Sequence, residues 1–249
     1  RLQEAEPLMR RALAIDEAAL GPNHPDVARD LNNLATLLKD TNRLQEAEPL
    51  MRRALAIDEA SFGAEHPKVA IRLNNLAQLL KTTNRLKEAE PLMHRALAID
   101  EAALGADHPD VATALNNLAL LLKATNRLQE AEPLMRRALA IDEAAFGAEH
   151  PKVAIRLNNF ALLLKATNRL KEAEPLMRRA LAIDEASLGP NHPDVAIDLG
   201  NLATIELEKG NKQEAKRLFT CALKIFRASF DENHPSVQTT LEWLNYISS

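Results

Sequence analysis

The chain has 249 residues, 46% hydrophobic but only 3% aromatic, so its core must be assembled mainly from Leu, Ala, Ile, Val and Met. Its 31 basic and 35 acidic residues are interspersed and leave a formal charge of -4, which excludes the basic, aromatic-rich face of a nucleic-acid binder. The lone cysteine, Cys221, rules out a disulfide framework and fits a reducing, cytoplasmic setting, and no apolar run reaches the roughly 20 residues of a membrane span.

Internal repetition dominates everything that follows. His-Pro recurs at positions 24, 66, 108, 150, 192 and 234, a strict period of 42. Residues 1–20 match only the second half of a unit, so the chain starts in mid-repeat and is expected to continue a longer protein. Helix pairs are expected at 25–61, 67–103, 109–145, 151–187 and 193–229, with a capping helix at 235–247. The apolar face of the half repeat 1–20 has no preceding helix to cover it. It is expected to pack on a neighbouring molecule.

One unit shows why the pairs form. Pro109 suits the first helical position, and His108 before it is kept out of the helical region. Asp110 places a negative charge in the first turn. Val111, Leu115, Leu118, Ala119 and Leu122 then recur at three- and four-residue steps as a buried stripe, and the helix fades at 124–126. A second helix runs from Leu128 through Ala131, Leu134, Met135, Ala138, Leu139 and Ile141 to Ala145, and Gly147 stops it. Glycines at 21, 63, 105 and 189 hold the same place. Glu132 with Arg136, Glu48 with Arg52 and Glu174 with Arg178 stand four apart, acid first, and read as exposed structural pairs. Pro133, repeated at 7, 49, 91 and 175, removes a backbone bond if it lies in the second turn.

Within the first helix, "LNNLA" recurs at 31–35, 73–77 and 115–119, and "LNNFA" at 157–161, although asparagine is a mediocre helix former. With Leu115 at zero and about 100° per residue, Asn116 falls near 100°, Lys123 near 80° and Leu120 near 140°, one face beside the stripe. Asn117 falls near 200° and reads as a contact between units. At the far end the pattern drifts, with Gly200 in place of the first asparagine and Glu206 in place of Leu122. Drift toward polarity is expected of a capping repeat.

Leu115, Leu118, Ala119 and Leu122 on one helix, with Ala131, Met135 and Ala138 on the next, resemble the tetratricopeptide repeat. The longer period, with "HPDVA", "LNNLA", "EAEPL" and "RALAI", is most similar to the 42-residue repeats of kinesin light chains and their bacterial relatives. The resemblance implies an all-α, right-handed α-solenoid of antiparallel helix pairs over 1–249, whose first helices line a concave groove. It further implies a peptide-binding row of Asn32, Asn74, Asn116 and Asn158. Beside it would run Lys39, Lys81, Lys123 and Lys165, with Leu120 and Leu162 between. An asparagine amide can pair with any peptide backbone, and the lysines favour an acidic segment.

The six His-Pro histidines cannot converge on a metal ion when each belongs to a different unit, and they read as residues that cap a helix or pack between units. No phosphate loop, HExxH or nucleophile elbow is present, so no enzyme activity, cofactor or metal is expected. The expected role is a protein interaction module that binds an extended, acidic peptide, as scaffold or sensor arm of a larger protein. Self-assembly, or service as accessory domain to an upstream enzyme or signalling ATPase, are the alternatives.

Overall fold

A computed structural model describes residues 2–248. Its helices are α1 (Leu2–Leu20), α2 (Pro25–Asp40), α3 (Leu44–Phe62), α4 (Pro67–Thr82), α5 (Leu86–Leu104), α6 (Pro109–Ala124), α7 (Leu128–Phe146), α8 (Pro151–Ala166), α9 (Leu170–Leu188), α10 (Pro193–Glu208), α11 (Lys212–Ser229) and α12 (Pro235–Ser248). Among the described residues there is no strand, so the chain is all-α, a series of helix pairs joined by short turns. It divides into two compact units, Arg1–Leu121 and Leu122–Ser249.

The helix limits follow from local chemistry. At α2, α4, α8 and α10 the histidine before the proline is the N-cap, in extended backbone, and its Nδ1 accepts the N–H two residues on. The first helices end on Asn42, Asn84, Asn126 and Asn168, which take φ near 60°, a left-handed turn asparagine tolerates. The second helices α3, α5, α7 and α9 end on glycine, as at Gly63 with φ 88°, where a side chain would be strained. Pro49, Pro91, Pro133 and Pro175 do sit inside their helices, one residue into the second turn.

In the first unit, successive helices α1 to α5 pack pairwise, and α2 also touches α4. Val27, Ala28 and Leu31 of α2 meet Ala54 and Ile57 of α3, with Leu13 of α1 behind them. Val69, Ala70 and Leu73 of α4 repeat this with Ala96 and Ile99, backed by Leu55. In the second unit Val153, Ala154 and Leu157 do the same with Ala180 and Ile183, backed by Leu139. Small residues allow the helices of a pair to cross closely, and the leucine of the previous pair closes the cluster. On α1, Leu8 and Ile15 are 67% and 55% exposed.

Polar links then tie one pair to the next. Arg43 donates to Glu6 at 2.6 Å and to Glu46 at 2.6 Å, and Arg85 repeats this with Glu48 and Glu88. In the second unit Arg169 reaches Glu132 and Glu172, each at 2.7 Å. Glu132 and Glu48 are therefore more than members of local four-residue pairs, since each also accepts an arginine from the following pair. Arg53, Arg95 and Arg179 form a second set, each joining a glutamate of the preceding second helix and a loop carbonyl, as Arg95 does with Glu59 and Ala64.

Two ion pairs lie inside. Arg72 Nε donates to Asp58 Oδ2 at 2.8 Å, with side chains 10% and 0% exposed, and Arg156 with Asp142 is the same contact. The drift at the far end also turns inward. Glu206, expected as capping polarity, is 2% exposed and accepts from Arg178 at 3.1 Å and Asn211 at 2.6 Å. A buried carboxylate is tolerated there because its lone pairs are filled.

Leu118 is 1% exposed, so Leu118→Ala should lower unfolding free energy by about 2–5 kcal/mol through the cavity it leaves. Arg72→Ala strands the buried Asp58 and should cost about 3–5 kcal/mol. Urea titrations followed by helical circular dichroism check both.

Candidate functional site

The face expected to bind peptide lies on the first helices. Asn32 and Asn116 are only 7% and 5% exposed, whereas Asn74 and Asn158 are half-buried. Asn75 Nδ2 donates to Asn32 Oδ1 at 2.9 Å, and Asn201 Nδ2 donates to Asn158 Oδ1 at 3.1 Å. The second asparagine of one first helix thus bonds the first asparagine of the helix before it. That is the contact between units expected of the second asparagine, and it uses the acceptor of Asn32 and Asn158 within the fold. Asn32 is closed in by this contact, whereas Asn158 keeps part of its surface toward solvent.

The lysine row is half-buried. Lys165 Nζ lies 3.2 Å from Glu208, and Lys39 lies 4.0 Å from Asp40. Lys123 is likewise half-buried. Burial pushes the Lys81 ammonium below its usual range, because lost hydration disfavours its charged form. Leu120 and Leu162 are half-buried on the same face, as are Thr36 and Gln78 in their register.

A neighbouring column escaped the sequence reading. Position 29 and its equivalents carry Arg29, Ile71, Thr113, Ile155 and Ile197, all exposed, with Ile71 and Ile155 at 54% and Ile197 at 48%. On the helical wheel this place falls near 160°, about 20° beyond Leu120. The available signal was an alternation with period 84: Lys87 and Lys171 stand where Gln45 and Gln129 do, and Leu104 and Leu188 where Phe62 and Phe146 do.

Two clefts open along this column, 84 residues apart in register. In the first unit, Pro67, Ile71, Asn74, Asp100, Leu104 and Asp110 surround a space of about 260 Å³. In the second, Pro151, Ile155, Asn158, Asp184, Leu188, Asp194, Ile197 and Asp198 surround about 400 Å³. Apolar walls with a few convergent polar groups are the usual make-up of a binding site. Asp198 is 2% exposed and its carboxyl is pushed up to about 8, by burial first and then by Asp184 and Asp194. Asp100 is pushed up to about 6, again mainly by burial. Among the described residues no three His, Cys, Asp or Glu side chains are grouped to hold a metal ion, and no helix is long and apolar enough to cross a membrane.

Comparison with known proteins agrees with this architecture. The family model described as "Tetratricopeptide repeat" matches residues 1–60, 31–102, 73–144, 110–186 and 157–228. Among solved structures the chain is similar to nearly identical TPR-like repeats described as a kinesin light chain of Podosopora anserina. The identity is 26%, over 84% of this chain and 99% of that one, with TM-score 0.70. BtubC (BKLC) from P. vanneervenii shares the fold at 23% identity, over 94% of each chain, with TM-score 0.77. YrrB, described as a TPR protein with an unusual peptide-binding site, shares it at 18% identity, over 94% of this chain and 97% of that one, with TM-score 0.51. No curated protein sequence matches.

The raised Asp198 value carries a pH dependence. Its folded-state pKa lies above its unfolded one, so its contribution is fully present below about 4 and is lost as pH rises toward about 8. Asp198→Asn removes that loss. The melting temperature of Asp198→Asn relative to the parent should therefore climb between pH 5 and pH 8, and a flat difference would contradict the assignment.

Proposed function

The chain belongs to the tetratricopeptide repeat family, whose members generally serve as protein interaction modules, and from that premise we propose that it holds an extended, acidic segment of a partner protein along the exposed face of its first helices. The observation that carries this is the recurrence of one surface. Ile71, Asn74 and Gln78 lie beside the desolvated Lys81, and Ile155, Asn158 and Leu162 repeat the order beside Lys165. An extended chain presents a similar group every second residue, so a repeating surface suits it. The peptide site described for YrrB supports the reading by likeness of fold.

Each element has a chemical task. The isoleucines and leucines take apolar side chains, the asparagine amides donate to the backbone of the bound chain, and the lysines face its carboxylates. Lys81 makes no ion pair among the described residues, so an incoming carboxylate would restore the stability its ammonium lost on burial. The 42-residue register runs unbroken over 1–249, which fits one array acting as scaffold or sensor arm in the cytoplasm. A second reading, self-association, is favoured by the uncovered Leu8 and Ile15 on α1.

Fluorescence anisotropy with glutamate-rich and lysine-rich peptides of equal length tests the groove. The glutamate-rich peptide should bind tighter, the preference should shrink with salt, and Lys81→Glu should weaken it about tenfold. Equal binding of both peptides would defeat the acidic reading. For the second reading, sedimentation should show concentration-dependent association that Leu8→Asp abolishes.

A further inference from the structure

Five second helices, α1, α3, α5, α7 and α9, carry an aspartate five residues before their C-terminal glycine, at 16, 58, 100, 142 and 184. Its surroundings differ from junction to junction. Asp58 and Asp142 each receive at Oδ2 the guanidinium of Arg72 and Arg156. Asp16 meets another aspartate, Asp30, in the place of Arg72, and here the cation comes from Arg29. Its Nε donates to Asp30 at 3.2 Å, its Nη2 to Asp16 at 3.4 Å and its Nη1 to Asp26 at 2.9 Å.

The junction between α9 and α10 repeats that set of acids without the arginine. Asp184, Asp194 and Asp198 stand where Asp16, Asp26 and Asp30 do, but Ile197 stands where Arg29 does. Asp198 is 2% exposed, shares a hydrogen bond with Asp184, and leaves its Oδ2 without a partner among the described residues. It lines the 400 Å³ cleft together with Asn158 and Ile155. The third junction is similar in kind, with Ala114 opposite Asp100 where the second and fourth have Arg72 and Arg156, and the 260 Å³ cleft lies there. Clefts with an uncompensated aspartate thus occur at the two junctions whose arginine is missing.

We propose that the cleft at Asp184, Asp194 and Asp198 is a socket for an arginine side chain of the partner segment, which takes the place Arg29 holds at the first junction. The cleft at Asp100 is the same kind of socket in simpler form. Arginine fits better than lysine because three donors of one planar fork reach three separate carboxylates, whereas an ammonium is a single point. Its methylene stem would lie along Ile155, Ile197 and Leu188, which leave apolar surface at the mouth. The socket rests on the groove reading and adds to it: the acidic segment that faces the lysine row also carries an arginine pointing toward the aspartates.

Selection from a displayed library of random short peptides on the full chain tests it. Selected peptides should share an arginine at a fixed place, and replacing that arginine by its neutral isostere citrulline should weaken binding about tenfold. Ile197→Arg, which rebuilds the Arg29 arrangement, should lose that preference for arginine over citrulline while its melting temperature is no lower. Asp198→Asn gives a second variant with the acid removed and should lose the preference too. Peptides that bind the groove without an arginine, or an arginine preference that survives in both variants, would overturn the socket and leave the groove standing. Failure to select any peptide would overturn both.

Discussion

A carboxylate withdrawn from water near the end of a helix must find a cation or hold its proton more tightly, and this constraint recurs at the five junctions from α1 and α2 to α9 and α10. The stack itself buries it, because the first helix of the next pair closes over Asp58 and Asp142 until neither is exposed. Removing a carboxylate from water is expensive without a partner. The next first helix must therefore answer each aspartate, and it does so differently from pair to pair: with Arg72 and Arg156, with Arg29 one position earlier, or with no cation of its own. Where none is supplied, burial makes the carboxyl hold its proton more tightly, up to about 6 at Asp100 and about 8 at Asp198.

The same choice shapes the exposed face. Where alanine or aspartate stands at the junction, opposite Asp100 and Asp184, a cleft bordered by the isoleucine column and an asparagine is present. Pairs nearly identical in their cores therefore differ in chemistry at the surface, and they alternate with a period of two units. On the second helices the links are uniform instead, with Arg43, Arg85 and Arg169 each bridging two glutamates. Uniform staples keep the pairs in register, and the variable junctions give the repeating surface its individual places.

Much of this was legible in order of locality. The stripe of Val111, Leu115, Leu118 and Ala119 proved buried, and the limits at Pro109, Ala124 and Leu128 fell where the sequence put them, because caps, turns and three- to four-residue periodicity act within one helix. The asparagine pair was half legible. Its two members were assigned different tasks from their angles alone, and Asn75 and Asn201 do bridge to neighbouring units. The burial of Asn32, the second arginine on Glu132 and the inward turn of Glu206 were not legible, since each depends on what a side chain meets across a junction.

The sequence by itself determined the period of 42, the helix pairs, their caps and the residues of the core. Those depend on interactions within a few residues of chain, and their spacing is written directly in the order of the letters. Only the tertiary structure decided which side chains 14, 37 or 43 positions apart touch, as Arg72 with Asp58, Arg43 with Glu6 and Asn75 with Asn32 do. Those contacts depend on the offset and rotation between one pair and the next. That geometry is set by how small and large residues interlock across the junction, so it also decided which aspartates have their cation and which face an open cleft.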